Sequence, residues 1–250
     1  MINSVEQNVI DCILKLGISR KCKGFTVIVE TVATLLKQPS YFNRPYMTID
    51  RTMYDTTLCS TYTGERSIRS ALTNLWLKGD KQFIYQLFGY TIAKDKHRPS
   101  VLEFIMTIAD YISLEHPELS HLFSGCSDSE IAIYRNISIV LKEFGIPCNI
   151  DGYYYLRECF YLSIQNTSPL ILSKGIFPLV AQKYKTTPER VNDSIRYAIK
   201  TSWKRGNKSY LSLIFGHSVN TQPSMWHFIM QTIISTNSFT NLNIYQRFSD

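Results

Sequence analysis

Residues 60 to 80, STYTGERSIRSALTNLWLKGD, decide how the chain folds. Their apolar side chains recur at the spacing of a helix with one buried face. The apolar residues are Ile68, Ala71, Leu72, Leu75 and Trp76. Ser60 or Thr61 can cap the start of this helix, and Gly79 is a typical stop signal after its last turn. We therefore predict a helix over this stretch, with its apolar face in the core.

Three charged residues, Glu65, Arg66 and Arg69, lie on the other side of this helix. At about 100° of rotation per residue they share roughly a third of the circumference, turned away from the apolar face. A guanidinium group fits the acceptors of guanine in the major groove, and a glutamate can accept from the cytosine amino group. The pattern Glu-Arg-x-x-Arg at a helix start can therefore read bases. The alternative is an ordinary solvated helix face.

The sequence contains one long unit twice. Gly17-Ile18 returns as Gly145-Ile146, and Ile68-Arg69 returns as Ile195-Arg196. The remaining matches keep the same order and pair Gly24 with Gly152, Glu30 with Glu158, Ala71 with Ala198, Trp76 with Trp203, Gly79 with Gly206, Phe88-Gly89 with Phe215-Gly216, and Phe104 to Met106 with Phe228 to Met230. A repeat of this length predicts two copies of one domain rather than a solenoid, whose units are much shorter.

Helical periodicity predicts an all-α fold made of two tandem six-helix domains, each containing a helix-turn-helix. Helices are predicted at 5–16, 24–37, 47–58, 60–80, 81–88 and 99–112, and again at 130–143, 152–165, 172–184, 188–204, 208–215 and 224–235. Thr187 and Pro188 suit the cap and first turn of the second long helix. Pro117 and Gly125 lie in a polar stretch that predicts a linker at 116–130, between domains at 1–115 and 131–250.

The composition indicates a globular chain with a cationic excess. It has 250 residues, 44% of them apolar, and a formal net charge of +7, which suits a polyanion partner without requiring one. Its six cysteines form no CxxC pair and follow no secretory leader, so we expect reduced thiols in a cytoplasmic protein. The apolar runs are too short to cross a bilayer, so no membrane partner is expected.

An enzyme is the least favoured class of function. The five histidines show no zinc spacing, and there is no glycine-rich phosphate loop or nucleophile elbow. We therefore predict no catalytic residue, no cofactor and no metal. Tyr153, Tyr154 and Tyr155 could stack on bases as in single-strand binders. Packing in the core or at a domain interface is favoured, because these tyrosines lie at the start of a supporting helix.

Several motifs resemble the C-terminal DNA-binding effector domain of the stage zero sporulation protein A family of bacterial response regulators. In the first copy they are GERSIRSAL (64–72), LFGYTIAKDKHRP (87–99) and EFIMTIADYISLEH (103–116). In the second copy they are GIPCNIDGYYYLRE (145–158), KYKTTPERVNDSIRYAI (183–199) and SWKRGN (202–207). The resemblance implies a domain whose fourth helix enters the major groove. The receiver domain of that family has no counterpart here, so direct control by phosphorelay is not expected.

The resemblance also implies roles for particular residues. The base-reading positions of the family correspond to Glu65, Arg66 and Arg69, whereas the second copy keeps only Arg196 and has Asn192 and Asp193 at the other two. Lys96 and Arg98 resemble the phosphate-contacting positions of the family. Further cations that could contact phosphates without selecting bases are Lys78, Arg190, Lys204, Arg205 and Lys208. We therefore expect the second copy to recognise DNA differently or more weakly than the first.

These expectations combine into a sequence-specific regulator that binds double-stranded DNA and controls sporulation-related genes. The first domain would read bases, and the second would anchor the chain or read a different half-site. The alternative is an interaction protein that antagonises or redirects a full-length sporulation regulator or RNA polymerase. A homodimer is compatible with either function.

Overall fold

The computed structural model describes residues 4–37, 45–57, 61–89, 98–120, 123–165, 172–216 and 221–240. Within these ranges the chain forms twelve α-helices and no strand, which confirms the predicted all-α class. The first six helices are α1 (Ser4–Lys15), α2 (Phe25–Lys37), α3 (Pro45–Thr57), α4 (Thr61–Lys78), α5 (Lys81–Phe88) and α6 (Val101–Glu115). The other six are α7 (Asp128–Glu143), α8 (Asp151–Gln165), α9 (Phe177–Lys183), α10 (Pro188–Arg205), α11 (Lys208–Phe215) and α12 (Met225–Thr240).

One predicted helix, at residues 172 to 184, is divided in the structure. Leu172–Ile176 form a π-helical turn, and α9 begins at Phe177. Pro178 lies in the first turn of α9 and has no backbone N–H. It therefore suits the start of a new helix better than the interior of a continuous one.

The chain divides into two compact units. Unit 1 comprises Met1–Lys142 and Pro147–Asn149, and unit 2 comprises Glu143–Ile146 and Ile150–Asp250. Most of α7 therefore packs in unit 1, although the sequence repeat matches α7 to α1. The predicted domain bounds follow the sequence repeat and stay a prediction, whereas the units follow the packing of the helices.

Specific contacts between α6 and α7 explain why α7 packs in unit 1. The Nζ of Lys142 lies 3.7 Å from Oδ2 of Asp110, and both side chains are buried. Arg135 contacts Glu115 at 3.2 Å and donates to the carbonyl of Leu114 at 2.8 Å. One buried ion pair and two contacts of the half-buried Arg135 thus join these two helices.

A glycine in each unit lets a supporting helix approach the long helix closely. A Cβ placed on Gly24, just before α2, would lie 2.6 Å from the carbonyl oxygen of Ser67 in α4. A Cβ on Gly152 in α8 would lie 2.3 Å from the carbonyl oxygen of Ser194 in α10. Both distances are too short for a real side chain, so the repeated glycines fix the position of α4 and of α10.

The turn after the long helix is also built in the same way twice. Asp80 caps α5 by accepting from two backbone N–H groups, and Asn207 caps α11 in the same manner. An edge-on aromatic pair lies beneath each turn. These pairs are Trp76 with Phe88, at 5.8 Å between ring centroids, and Trp203 with Phe215, at 5.3 Å. The sequence repeat therefore reproduces the packing as well as the helices.

Candidate nucleic-acid interface

Helix α4 is held in unit 1 by the apolar face that the sequence predicts. Its five apolar residues, from Ile68 to Trp76, are each at most 6% exposed. Arg66 lies almost opposite this face and is exposed, and it makes no ion pair within the part of the chain that the structure describes. The core packing therefore fixes which side of α4 is presented to solvent.

Glu65 and Arg69 form an ion pair along the outer side of α4. The Nη2 of Arg69 lies 2.6 Å from Oε1 of Glu65, and its Nε lies 3.2 Å from the same oxygen. The side chain of Glu65 is 41% exposed, and that of Arg69 is 70% exposed. The hydrogen bond to Glu65, together with its negative charge, raises the pKa of Arg69 above its ordinary value. The ion pair thus orients the guanidinium.

This ion pair leaves one edge of the Arg69 guanidinium open. Of the five N–H groups on a guanidinium, Glu65 accepts one from Nε and one from Nη2. Of the remaining N–H groups, one on Nη1 and one on Nη2 form the end-on edge of the fork. That edge can donate two hydrogen bonds to O6 and N7 of a guanine while Glu65 stays bound.

Arg98 lies next to the middle of α4 because a hydrogen bond holds it there. Its Nη1 donates to the hydroxyl of Thr73 at 3.2 Å, and that hydroxyl donates to the carbonyl of Arg69 at 3.0 Å. Arg98 is exposed, as is Lys78 in the last turn of α4. The predicted contact Lys96 lies outside the described residues. Unit 1 therefore brings Glu65, Arg66, Arg69 and Arg98 to one helix.

In unit 2 the equivalent surface of α10 has a different charge. Arg196 is exposed, and its Nε donates to Oδ1 of Asn192 at 3.4 Å. This contact replaces the ion pair of Arg69 with a longer hydrogen bond to a neutral side chain. Asp193 is exposed at the position of Arg66, so a cation is replaced by an anion. The ion pair and the exposed cation of α4 are therefore not reproduced in α10.

Two of the predicted phosphate contacts in unit 2 have partners inside the unit. The Nη2 of Arg190 lies 3.1 Å from Oδ2 of Asp151, and this hydrogen bond, with the charge of Asp151, raises the pKa of Arg190. The Nζ of Lys208 donates to the backbone carbonyl of Trp203, as that of Lys81 does to Trp76. Arg190 and Lys208 can contact phosphate only by sharing or leaving these partners.

The other predicted phosphate contacts, Lys204 and Arg205, lie in the last turn of α10. Lys204 is exposed, whereas Arg205 is half-buried. Sequence reasoning missed a further cation, Lys200, which is exposed one turn before Lys204 and one turn after Arg196. The spacing of four residues between these three cations was the signal that could have identified Lys200.

The three consecutive tyrosines of α8 and three of the five described cysteines lie in the interior. Tyr153, Tyr154 and Tyr155 are at most 5% exposed, so core packing rather than base stacking is confirmed for them. In the described ranges the cysteines are free, and Cys12 and Cys159 are buried. No helix in those ranges is long and apolar enough to span a membrane.

A comparison with protein families gives two matches to the same family model. The model is described as "Sporulation initiation factor Spo0A C terminal", and it matches residues 9–112 and again residues 137–235. The first match runs from α1 into α6, and the second runs from α7 into α12. The two matches together cover most of the chain.

Proposed function

The chain belongs to the family of sporulation initiation factor Spo0A C-terminal domains, in two tandem copies, and we propose how such a chain recognises DNA. Membership of this family implies that the chain binds DNA and regulates transcription in sporulation. The finer proposal is that α4 of unit 1 enters the major groove of double-stranded DNA and selects bases. The outward ion pair of Glu65 and Arg69 is the observation that carries it.

Glu65 prepares Arg69 for a base contact before DNA arrives. The ion pair limits the rotamers of a long side chain, so less conformational entropy is lost when the end-on edge meets a guanine. Arg66, exposed and opposite the core face, is available for a second base or for a phosphate. Arg98, held by Thr73, lies where a phosphate of the groove wall would meet α4.

The second unit increases the affinity of the whole chain through the covalent connection. Once unit 1 is bound, contact of unit 2 with the same duplex becomes intramolecular, and its effective concentration is set by the connecting chain. Single-domain relatives would need to dimerise for the same gain. The proposal is therefore one base-selecting unit joined to a unit that anchors or reads a different half-site.

Selection of duplexes from a random pool by the whole chain tests this function. We expect enrichment of a box that contains a guanine, and Arg69→Ala should lower the discrimination at that base by roughly 5- to 150-fold. Glu65→Gln should weaken the same preference less, because Arg69 remains but is less oriented.

Arg51→Ala is the matched control for this selection. Arg51 forms an ion pair with Asp55 at 3.9 Å, also four residues apart, but on α3. Any effect of Arg51→Ala should be equal on all sequences. If the whole chain enriches no sequence, or if Arg69→Ala leaves every base preference unchanged, the proposed function is wrong.

A protein partner is a second candidate, supported by exposed apolar side chains in unit 2. Leu213, Trp226 and Ile234 are each more than half exposed. Exposed apolar side chains are common at protein-binding sites. The partner would be a full-length sporulation regulator, RNA polymerase or another copy of the chain. Size-exclusion chromatography with each partner, beside a gel shift, distinguishes this function from DNA binding.

A further inference from the structure

The outward side of α10 separates its charges along the helix. Glu189 and Asp193, both exposed, lie in the first half, where the exposed Arg190 is paired with Asp151. The three exposed cations Arg196, Lys200 and Lys204, which we name the α10 cation row, begin at the middle of the helix and continue through its second half. The row has no acidic residue between its members, because positions 197 to 199 and 201 to 203 are uncharged.

Helix α4 lacks the second half of this row, although its Arg69 matches Arg196. Its outward cations Arg66 and Arg69 lie in the first half, and the positions that match Lys200 and Lys204 are Thr73 and Leu77. The two long helices have 18 residues each and correspond one to one, so the difference is not caused by a shift of register. Lys200 and Lys204 of α10 therefore have no cationic counterpart in α4, and Arg66 of α4 has none in α10.

The spacing of the α10 cation row suits a row of phosphates. Successive members are four residues apart, which is a rise of about 6 Å per step and about 12 Å in total along the helix. Each step also turns the side chain by only about 40°, so the three cations stay on one side of α10. The phosphates of one DNA strand are spaced by about 3.4 Å along the duplex axis, so a row of this length spans several of them.

The members of the row are available for an external partner. Lys200 and Lys204 make no ion pair in the portion of the chain that the structure describes, and Arg196 has only the long contact with Asn192. Arg190, by contrast, is paired with Asp151. The helix dipole also favours cations, but only in the last turn. It accounts for Lys204 and leaves Arg196 and Lys200 unexplained.

We propose that unit 2 grips the phosphate backbone of duplex DNA through the α10 cation row, without selecting bases. In a helix-turn-helix protein the first residues of the reading helix contact the base edges. In α10 these residues include Glu189 and Asp193, which the phosphates that line the groove repel. The second half of α10 therefore meets the backbone instead. This inference rests on the proposed DNA-binding function and specifies how its second unit contributes.

The test measures the affinity of the whole chain for two duplexes over a series of salt concentrations. One duplex is selected from a random pool, and the other is a scrambled duplex of the same length and composition. Arg196→Ala, Lys200→Ala and Lys204→Ala should each reduce the salt slope by about 0.9, and the triple variant by about 2.7. Each variant should lose affinity by the same factor on both duplexes, and Lys200→Arg should retain the slope.

Two further variants complete the design. Lys174→Ala removes an exposed cation of unit 2 from the π-helical turn and should leave affinity and slope unchanged. Asp193→Asn removes a repulsive charge and should tighten binding to both duplexes alike. Helix content and melting temperature, measured for every variant, exclude unfolding as the cause of a loss.

The outcomes separate this inference from the proposed function. If the triple variant binds with the slope of the unaltered chain, the row does not contact phosphate and the inference is wrong, while base selection by unit 1 still stands. If Arg196→Ala changes the preference between the duplexes, α10 reads bases and the inference is also wrong. If the unaltered chain does not distinguish the duplexes, the proposed function is wrong, and the slopes still decide the role of the row. If it binds neither duplex, both are wrong.

Discussion

Replacing Lys142 by methionine should strongly destabilise the chain. The Lys142 and Asp110 side chains are 9% and 0% exposed, and Nζ and Oδ2 are 3.7 Å apart. Lys142→Met keeps the apolar length of the side chain but leaves the Asp110 carboxylate buried without its cation. Breaking a buried pair from one side costs about 3 to 5 kcal/mol. The Cys148 thiol, 4.0 Å from the same oxygen, is a weak donor and does not replace the cation.

Urea unfolding followed by circular dichroism measures this cost. The double variant Asp110→Leu with Lys142→Met should recover most of the lost free energy, because an apolar pair of similar volume often equals a buried ion pair in stability. Arg51→Ala breaks an ion pair whose side chains are 85% and 66% exposed, and it should have no measurable effect. A loss below about 1 kcal/mol for Lys142→Met, the range of an exposed pair, would refute the packing of α7 in unit 1.

Three other predictions follow from contacts within unit 1. Gly24→Ala should lower the free energy of unfolding by about 1 to 3 kcal/mol, because the new Cβ meets a backbone oxygen at 2.6 Å. Gly64→Ala, whose nearest contact is Cβ of Met53 at 3.0 Å, should cost less in the same thermal melt. Thr73→Val should release Arg98 and weaken binding to all duplexes equally, with a salt slope shallower by up to about one unit. Burial raises the pKa of Cys12 from 9.0 to about 12, so its thiol should react with a thiol reagent only after unfolding. The free energy of unfolding should also fall as the pH rises above 9.0, because the thiol then ionises in the unfolded chain but not in the folded one.

Most of the fold could be predicted from the sequence, because local signals decide it. The spacing of the apolar residues and the glycines that end the helices predict where the long helices lie. Thr187 precedes Pro188 and caps α10 as predicted, because its hydroxyl accepts from the backbone N–H of Arg190 at 3.3 Å. The packing of α7 in unit 1 could not be predicted in this way. It depends on contacts such as Lys142 with Asp110, which join residues far apart in the sequence.

The candidate site shows the same division between local and long-range information. Helix geometry places Arg66 almost opposite the apolar face, with Glu65 and Arg69 beside that face. The spacing of four residues between Glu65 and Arg69 also indicates their ion pair. The hydrogen bond of Arg98 to Thr73 joins residues 25 positions apart, so no local pattern indicates it. The partner of Arg190 is 39 positions away, and it could not be predicted for the same reason.

The proposed contact of Arg69 with a particular guanine can be tested with 7-deazaguanine, which lacks the N7 acceptor. Replacing that guanine by 7-deazaguanine and Arg69 by alanine, singly and together, forms a double-mutant cycle. The unaltered chain should bind the modified duplex more weakly than the natural one, and Arg69→Ala should bind both duplexes equally. An equal loss on the modified duplex for both proteins would show that N7 is recognised by some other group, and it would contradict the role assigned to Arg69.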